Sequence, residues 1–498
     1  MNGEPFHNGR YRSARRVGAL VLLGAISFPG GAAATLTQTH EYRIEISEDF
    51  SRLEVAACFE GAAPQRLRTG SGRAGQYLKE ATIRVDGESR SLSATRGVLR
   101  IGERPDDDCM RYAVDLGKAA RNGNPRIAAR AGESLVLSPR VWLWRPRGAG
   151  EYTRYELDFR LPAEWDISTP WQEMDHDEQA GRYRFRMAND PLVQELSMLV
   201  GRFHRINPEW GGFRLEAVLA EGPGPAADPE LIEQWLERGV AAAATVLGGF
   251  PTRRAQAVIL TTADGGRPLV SGRTTRGGDS GMLLQVDPKL ADRAFLDEAL
   301  LAHELIHLLH PPVTRQDAWL PEGIATYYQY LSLARSGELR EKQFWERLLA
   351  GFERGYWDRR QDTLGRITRN MHRQGGVEYV YWSGAAMMLL ADVRLRSRED
   401  QPTSLDRVLA EWADCCLDRD HSQEGREALR ELDGIARGKP VFYPMYEEHV
   451  LAVGLPEVDD ALRFLGVEET EDGVVLNDEA PGAGIRRAML ERPDSPAP

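Results

Sequence analysis

Long apolar runs are missing from this 498-residue chain. None reaches the ~18 residues a membrane-spanning helix needs, so no transmembrane span is expected in the mature chain. A surplus of basic residues is missing too. Lys and Arg number 63 against 75 Asp and Glu, a formal charge of −12, which leaves no electrostatic footprint for nucleic acid. Cysteine is scarce: Cys58, Cys109, Cys415 and Cys416 are all there are, and none has the spacing of a zinc knuckle or a redox motif. Internal repeats and long low-complexity linkers are absent, which excludes a solenoid or a tethered array. What remains is ordinary globular material, 42% apolar and 28% charged, long enough for about two to four domains.

The N-terminus has the pattern of a targeting segment. Arg10, Arg12, Arg15 and Arg16 precede an apolar run from Val17 to Phe28, and small residues follow as far as Ala34. Residues 1–34 are therefore expected to be a secretory signal peptide, and the protein to be exported, periplasmic or secreted. In an oxidising compartment Cys58 and Cys109 are expected to pair. A bridge between the adjacent Cys415 and Cys416 would be strained.

Residues 35–203 alternate apolar and polar positions in short runs such as HEYRIEISED, SRLEVAACF and RYELDFRLP, broken by Gly, Pro and Asp. That pattern predicts an N-terminal β domain of sandwich type, with SLVLSPRVWLW as one of its strands. From residue 204 the pattern changes. FRLEAVLAEG, AQAVILTT and GMLLQVD read as strands, and a helix capped by Asp228 lies between the first two. From Leu290 to about Arg437 helical periodicity dominates. The last segment, 441–498, is rich in Gly and acid and is expected to form a short β-rich extension. The predicted class is thus α+β and multidomain, with a thermolysin-like catalytic domain (small sheet plus helical bundle) over 204–440.

The chemistry is concentrated in HELIH at 303–307. On a helix, His303 and His307 leave the same face and can share one Zn²⁺ ion, one per chain. Glu304 lies beside them, where it can take a proton from water activated by the metal. A catalytic zinc needs a third protein ligand, and Glu322 in WLPEGIATYY is the candidate. The residues around HELIH are apolar, and buried histidines and glutamate are costly unless something pairs with them. His310 competes as a ligand, being three residues beyond His307. Pro311 and Pro312 end the helix there, so His310 reads as a helix-end histidine.

HELIH, WLPEGIATYY, and then YVYWSGAAMMLLADVRLR followed by SLDRVL, resemble the glycyl-aminopeptidase-like gluzincins. These are exported bacterial zinc metallopeptidases, often with a C-terminal PDZ domain. They are similar in turn to the large zinc aminopeptidase family that includes the leukotriene hydrolase. The resemblance covers roughly residues 205 to 440. It implies zinc ligands His303, His307 and Glu322, a general base Glu304, and a tyrosine three residues before a glycine that donates to the oxyanion. Tyr381, ahead of Gly384, fits that place, and Tyr379 is the fallback. The resemblance also implies that 441–498 is a fragment of a PDZ domain.

The chain departs from the pattern in three places. Where the aminopeptidases carry G-x-M-E-N to hold the substrate amine, this chain has TTRGGDSGMLLQV, with Asp279 as the one carboxylate. Gly277, Gly278 and Gly281 would let a peptide backbone approach closely, and GMLLQV could pair with it as an edge strand. Ser383 stands where a basic residue is usual, and the gap between His307 and Glu322 is short. The leading expectation is a zinc peptidase acting on peptides or proteins, as an aminopeptidase or an endopeptidase. A catalytically decayed binding or scaffold protein of the cell envelope on the same fold is the alternative.

Overall fold

The computed structural model describes residues 38–61, 64–102, 109–150, 152–189, 196–263, 269–275, 280–289, 299–419 and 421–493. Residues 1–34, expected to be a signal peptide, lie outside these residues, as do Gly277, Gly278 and Asp279. Among the described residues no helix is long and apolar enough to cross a membrane.

Alternation builds the first part. Strand Thr39–Ile46 buries Tyr42, Ile44 and Ile46 and turns Glu41, Arg43 and Glu45 outward. It lies inside an eight-stranded sheet, antiparallel to Arg52–Cys58 on one side and parallel to Arg154–Arg160 on the other. Two four-stranded sheets accompany it, and Trp142, Trp144 and Trp171 are buried in the shared core. SLVLSPRVWLW is not one strand. It runs extended from Ser134 to Leu137 and then becomes a helical turn, Pro139–Trp142, in which the Ser138 side chain accepts from the Arg140 amide. Proline at the first helical position, with its fixed φ, starts that turn. Cys58 and Cys109 face each other on paired strands and are joined, as are Cys415 and Cys416.

The second part rests on a sheet of parallel centre. Strands β1 (Phe213–Ala220), β2 (Arg254–Thr261) and β5 (Gly281–Val286) run parallel in that order. The short strands β3 (Leu269–Ser271) and β4 (Thr274–Thr275) cover the outer side of β5 in antiparallel fashion. GMLLQV is therefore an interior strand, and the sheet ends on that side at 269–275. Two consecutive pairings, not composition, decide this, so the apolar run looked like an edge when read alone. Helix α1 (Pro229–Ala244) links β1 to β2, with Asp228 accepting from the Glu230 amide at 3.0 Å.

After β5 come α2 (Leu300–Ile306), α3 (Trp319–Ser336), α4 (Val377–Arg396) and α5 (Leu405–Cys416). These helices and the sheet share one core, which also takes in Val467, Val474 and Met489. The C-terminal segment is less β-rich than expected. One hairpin, Val467–Thr470 with Gly473–Leu476, lies between helices Asp459–Leu465 and α6 (Ala483–Leu490). In AGIRRAML the buried positions Ala483, Arg486 and Met489 recur every third residue, a helical spacing that the glycines before it obscured.

Candidate active site

Helix α2 is short because the chain tightens into a 3₁₀ turn at His307–Leu309 and leaves helical geometry at His310, ahead of Pro311 and Pro312. His303 and His307 still point the same way, their rings edge to face with centroids 4.9 Å apart. Glu322 arrives from the first turn of α3. Its Oε2 lies 3.2 Å from His303 Nε2 and 3.4 Å from His307 Nε2. Two imidazole nitrogens and one carboxylate oxygen thus converge on a single point.

The backbone crossing that brings Glu322 there is unusually close. A Cβ on Gly323 would run into the backbone of Gly384, and one on Gly384 into the Trp319 carbonyl oxygen. Glycine at both positions lets α3 and α4 touch backbone to backbone. The same contact sets Tyr381, one turn before Gly384, over the site. Its ring stacks on His303 with centroids 5.8 Å apart and planes 8° from parallel. Tyr379 is directed elsewhere: its hydroxyl donates to the Gly454 carbonyl at 2.9 Å.

The electrostatics are those of a buried, charge-dense cluster. His303, Glu304 and His307 are each less than a tenth exposed. Burial opposes ionisation of Glu322, but His307 and His303 outweigh it and hold the carboxyl well below its ordinary range. Burial likewise pulls the His303 ring down, yet Glu322 and Glu304 raise it above the usual value. The Tyr381 phenol is pushed far up, first by burial and then by the charges of Glu322 and Glu304. It therefore keeps its proton and remains a donor. Glu304 is held from the sheet edge: the Thr274 hydroxyl lies 2.8 Å from its Oε2 and 2.9 Å from its carbonyl oxygen. Gly272 passes so close to the Glu304 carboxylate that any side chain there would collide with it.

The donor set fits a zinc ion. Ligand atoms on a tetrahedron with bonds of ~2.0–2.1 Å stand about 3.3 Å apart, and the two measured separations bracket that spacing. Both histidines face the shared point through Nε2, and Nδ1 of His303 is buried without a hydrogen bond in this geometry. Among the described residues His303, His307 and Glu322 stand out as a group able to hold a metal. The other such group, Cys415, Cys416 and Glu431, has its two sulfurs joined to each other.

Of the residues singled out from sequence, the structure brings together His303, Glu304, His307, Glu322 and Tyr381. His310 adjoins His307 through that ring's Nδ1, whereas Glu322 meets its Nε2. Gly281 begins β5 paired with Thr275, and a Cβ there would meet Leu196 and Gln256. Thr274 and Gly272 were not singled out. They precede the Gly-rich stretch that drew attention, and their role depends on a contact thirty residues away.

No protein-family model matches the sequence, and no curated protein does. Solved structures match well. An aminopeptidase N family protein from Idiomarina loihiensis superposes with a TM-score of 0.68 at 15% identity, over 86% of this chain and 78% of its own. An M1 zinc metallopeptidase from Deinococcus radiodurans matches at 14% identity over 84% of this chain and 95% of its own, with a TM-score of 0.51. A mutant form of that metallopeptidase gives 0.52 at 15% identity, over 84% of this chain and 96% of its own. The fold is similar to that of these zinc metallopeptidases. Such identities speak for the architecture, and the chemistry has to be argued from the side chains above.

Proposed function

We propose that this chain is a zinc-dependent peptidase, with one Zn²⁺ held by Nε2 of His303, Nε2 of His307 and a carboxylate oxygen of Glu322. The observation that carries the proposal is the convergence of those three atoms, with the Glu322 oxygen at tetrahedral spacing from both ring nitrogens and Glu304 beside them. When bound there, zinc would lower the pKa of water towards ~7 and polarise a scissile carbonyl. Glu304, oriented by Thr274, would take the water's proton and deliver it to the leaving amine. Tyr381, kept protonated by burial and its acidic neighbours, would donate to the developing oxyanion. A peptide would lie along the 269–275 edge, opposite Gly272, as an added strand.

The same reading takes 1–34 as a signal peptide, 35–203 as a supporting β domain, 204–440 as the catalytic domain and 441–498 as an extension, in an exported enzyme. The three ordered motifs support placing it with the glycyl-aminopeptidase-like type. The stretch 274–286 carries no counterpart of the amine-holding glutamate, which supports cleavage of N-blocked as well as free peptides. Metal analysis of the purified protein, with and without Glu322→Ala, tests the core of the proposal. About one zinc per chain is expected in the parent and much less in the variant. Full zinc in Glu322→Ala would remove Glu322 as a ligand, and no zinc in the parent would remove the proposal.

A further inference from the structure

Resting on the zinc reading, the geometry points to His310 as the residue that orients His307 and fixes which of its nitrogens is free to bind metal. A histidine that ligates through Nε2 must carry its proton on Nδ1, and that N–H needs an acceptor when buried. His307 presents Nε2 to the Glu322 oxygen, and its Nδ1 lies 3.4 Å from Nε2 of His310. His310 is 1% exposed, so the contact lies away from bulk solvent.

The polarity of this contact is settled one step further out. Nδ1 of His310 lies 3.0 Å from the carbonyl oxygen of Pro311. A carbonyl only accepts, so a neutral His310 ring carries its proton on Nδ1 and offers Nε2 as an acceptor. That nitrogen accepts the Nδ1–H of His307, whose Nε2 then presents its lone pair toward the ligand cluster. The relay runs from backbone carbonyl to His310 to His307. Its geometry is held by the fold. The Pro311–Pro312 pair ends the helix and turns the His310 backbone extended, at φ −139° and ψ 152°. The His310 ring stacks flat on Trp412 of α5, centroids 6.2 Å apart and planes 7° from parallel. His310 is a positioning residue, acting through His307 and touching neither metal nor substrate.

The test uses the full chain and zinc itself, with affinity measured by competition against a chelating indicator. His310→Gln places an amide oxygen near where Nε2 stands, so it can still accept from His307. His310→Asn carries the same group one carbon shorter and cannot reach. Asn is expected to weaken zinc binding about 10–100-fold, and Gln to stay within a few-fold of the parent. His310→Phe, which keeps a ring on Trp412 but offers no acceptor, should follow Asn. The cobalt-substituted visible spectrum should change in Asn and Phe and not in Gln. Parent-like zinc affinity in Asn and Phe would overturn the inference, as would equal losses in Gln and Asn. A parent that binds no zinc would instead sink the zinc reading. Melting temperatures of the metal-free variants separate a loss of packing from a loss of ligand orientation.

Discussion

Helix α3 carries a buried polar cluster at each end, and the two are built on opposite plans. At its start, Glu322 meets His303 and His307 with three ligand atoms crowded round one point and one ring nitrogen unsatisfied. Further along, Tyr327, Tyr328 and Arg335 meet Asp392, Arg396 and Asp406, and there the bonding closes on itself. Tyr327 donates to Asp392 at 3.1 Å and Tyr328 to Asp406 at 2.7 Å. Arg335 and Arg396 both reach Asp406, and Arg396 also pairs with Asp392. The Leu405 amide and the Met489 carbonyl take up further valences. Burial drives the Asp392 carboxyl up while Arg396 pulls it back, and the paired arginines keep the group tolerable inside the protein. A structural polar cluster saturates its own donors and acceptors; a cluster meant for a metal leaves them directed at a common centre. The closed one ties α3, α4, α5 and α6 together, and so holds still the helix that presents Glu322.

The strongest way to break this comparison is Glu304→Gln. The substitution is nearly isosteric and leaves the ligands alone, so fold and zinc content should be kept. Activity should fall ~10²–10⁴-fold, the usual contribution of a general base. Near-parental turnover would show that the open cluster is not a water-activating site. The mirror experiment is Asp406→Asn. It takes the charged partner from buried Arg335 and leaves Arg396 with Asp392 alone, and losing one partner of a buried pair costs about 3–5 kcal/mol of stability. Chemical denaturation should register that loss, while kcat per folded molecule stays close to the parent. An activity loss with unchanged stability would mean the closed cluster takes part in chemistry.

Tyr381→Phe comes next. If the phenol meets the oxyanion only in the transition state, kcat and kcat/KM should fall together by roughly 10²–10³-fold with KM little changed. A merely packed tyrosine would lose a hydroxyl without consequence for rate. Full activity in Tyr381→Phe would take the role from Tyr381 without passing it to Tyr379, which is committed to Gly454.

What could be read from sequence follows the range of the interactions. His303, His307 and Glu304 are legible because helical spacing of four residues decides their direction. Glu322 and Tyr381 are legible through motif order, but why they meet is not: that needs Gly323 and Gly384 seen touching. Asp392 and Asp406 look like ordinary solvent-facing charges in their helices, and only tertiary packing hides them. The misplaced edge strand and the misread C-terminal helix have one cause. Local pattern cannot say which neighbour covers a strand, and glycine-rich flanks mask a short amphipathic turn.

The smallest expected effect is also the most informative about the open cluster. Thr274 has one hydroxyl proton and two acceptors at nearly equal distance, the Glu304 carboxylate and the Glu304 carbonyl. It can serve only one at a time. While Glu304 is ionised the carboxylate is the stronger acceptor, because hydrogen bonds to charged groups are worth ~1.5–3 kcal/mol against about 1 for neutral ones. Once Glu304 has taken up a proton, the hydroxyl can turn to the carbonyl and accept from the new acid. Such a partner orients the base in both protonation states. Thr274→Val keeps the shape and β-branching of the strand residue and removes only this hydroxyl. We expect kcat to fall about tenfold, or ~1.4 kcal/mol, with zinc content and KM nearly unchanged, and Thr274→Ser to recover most of the loss. If Val instead lowers stability and leaves kcat intact, Thr274 is a strand residue bonded to a helix carbonyl, and the general base is oriented by the ligand cluster alone.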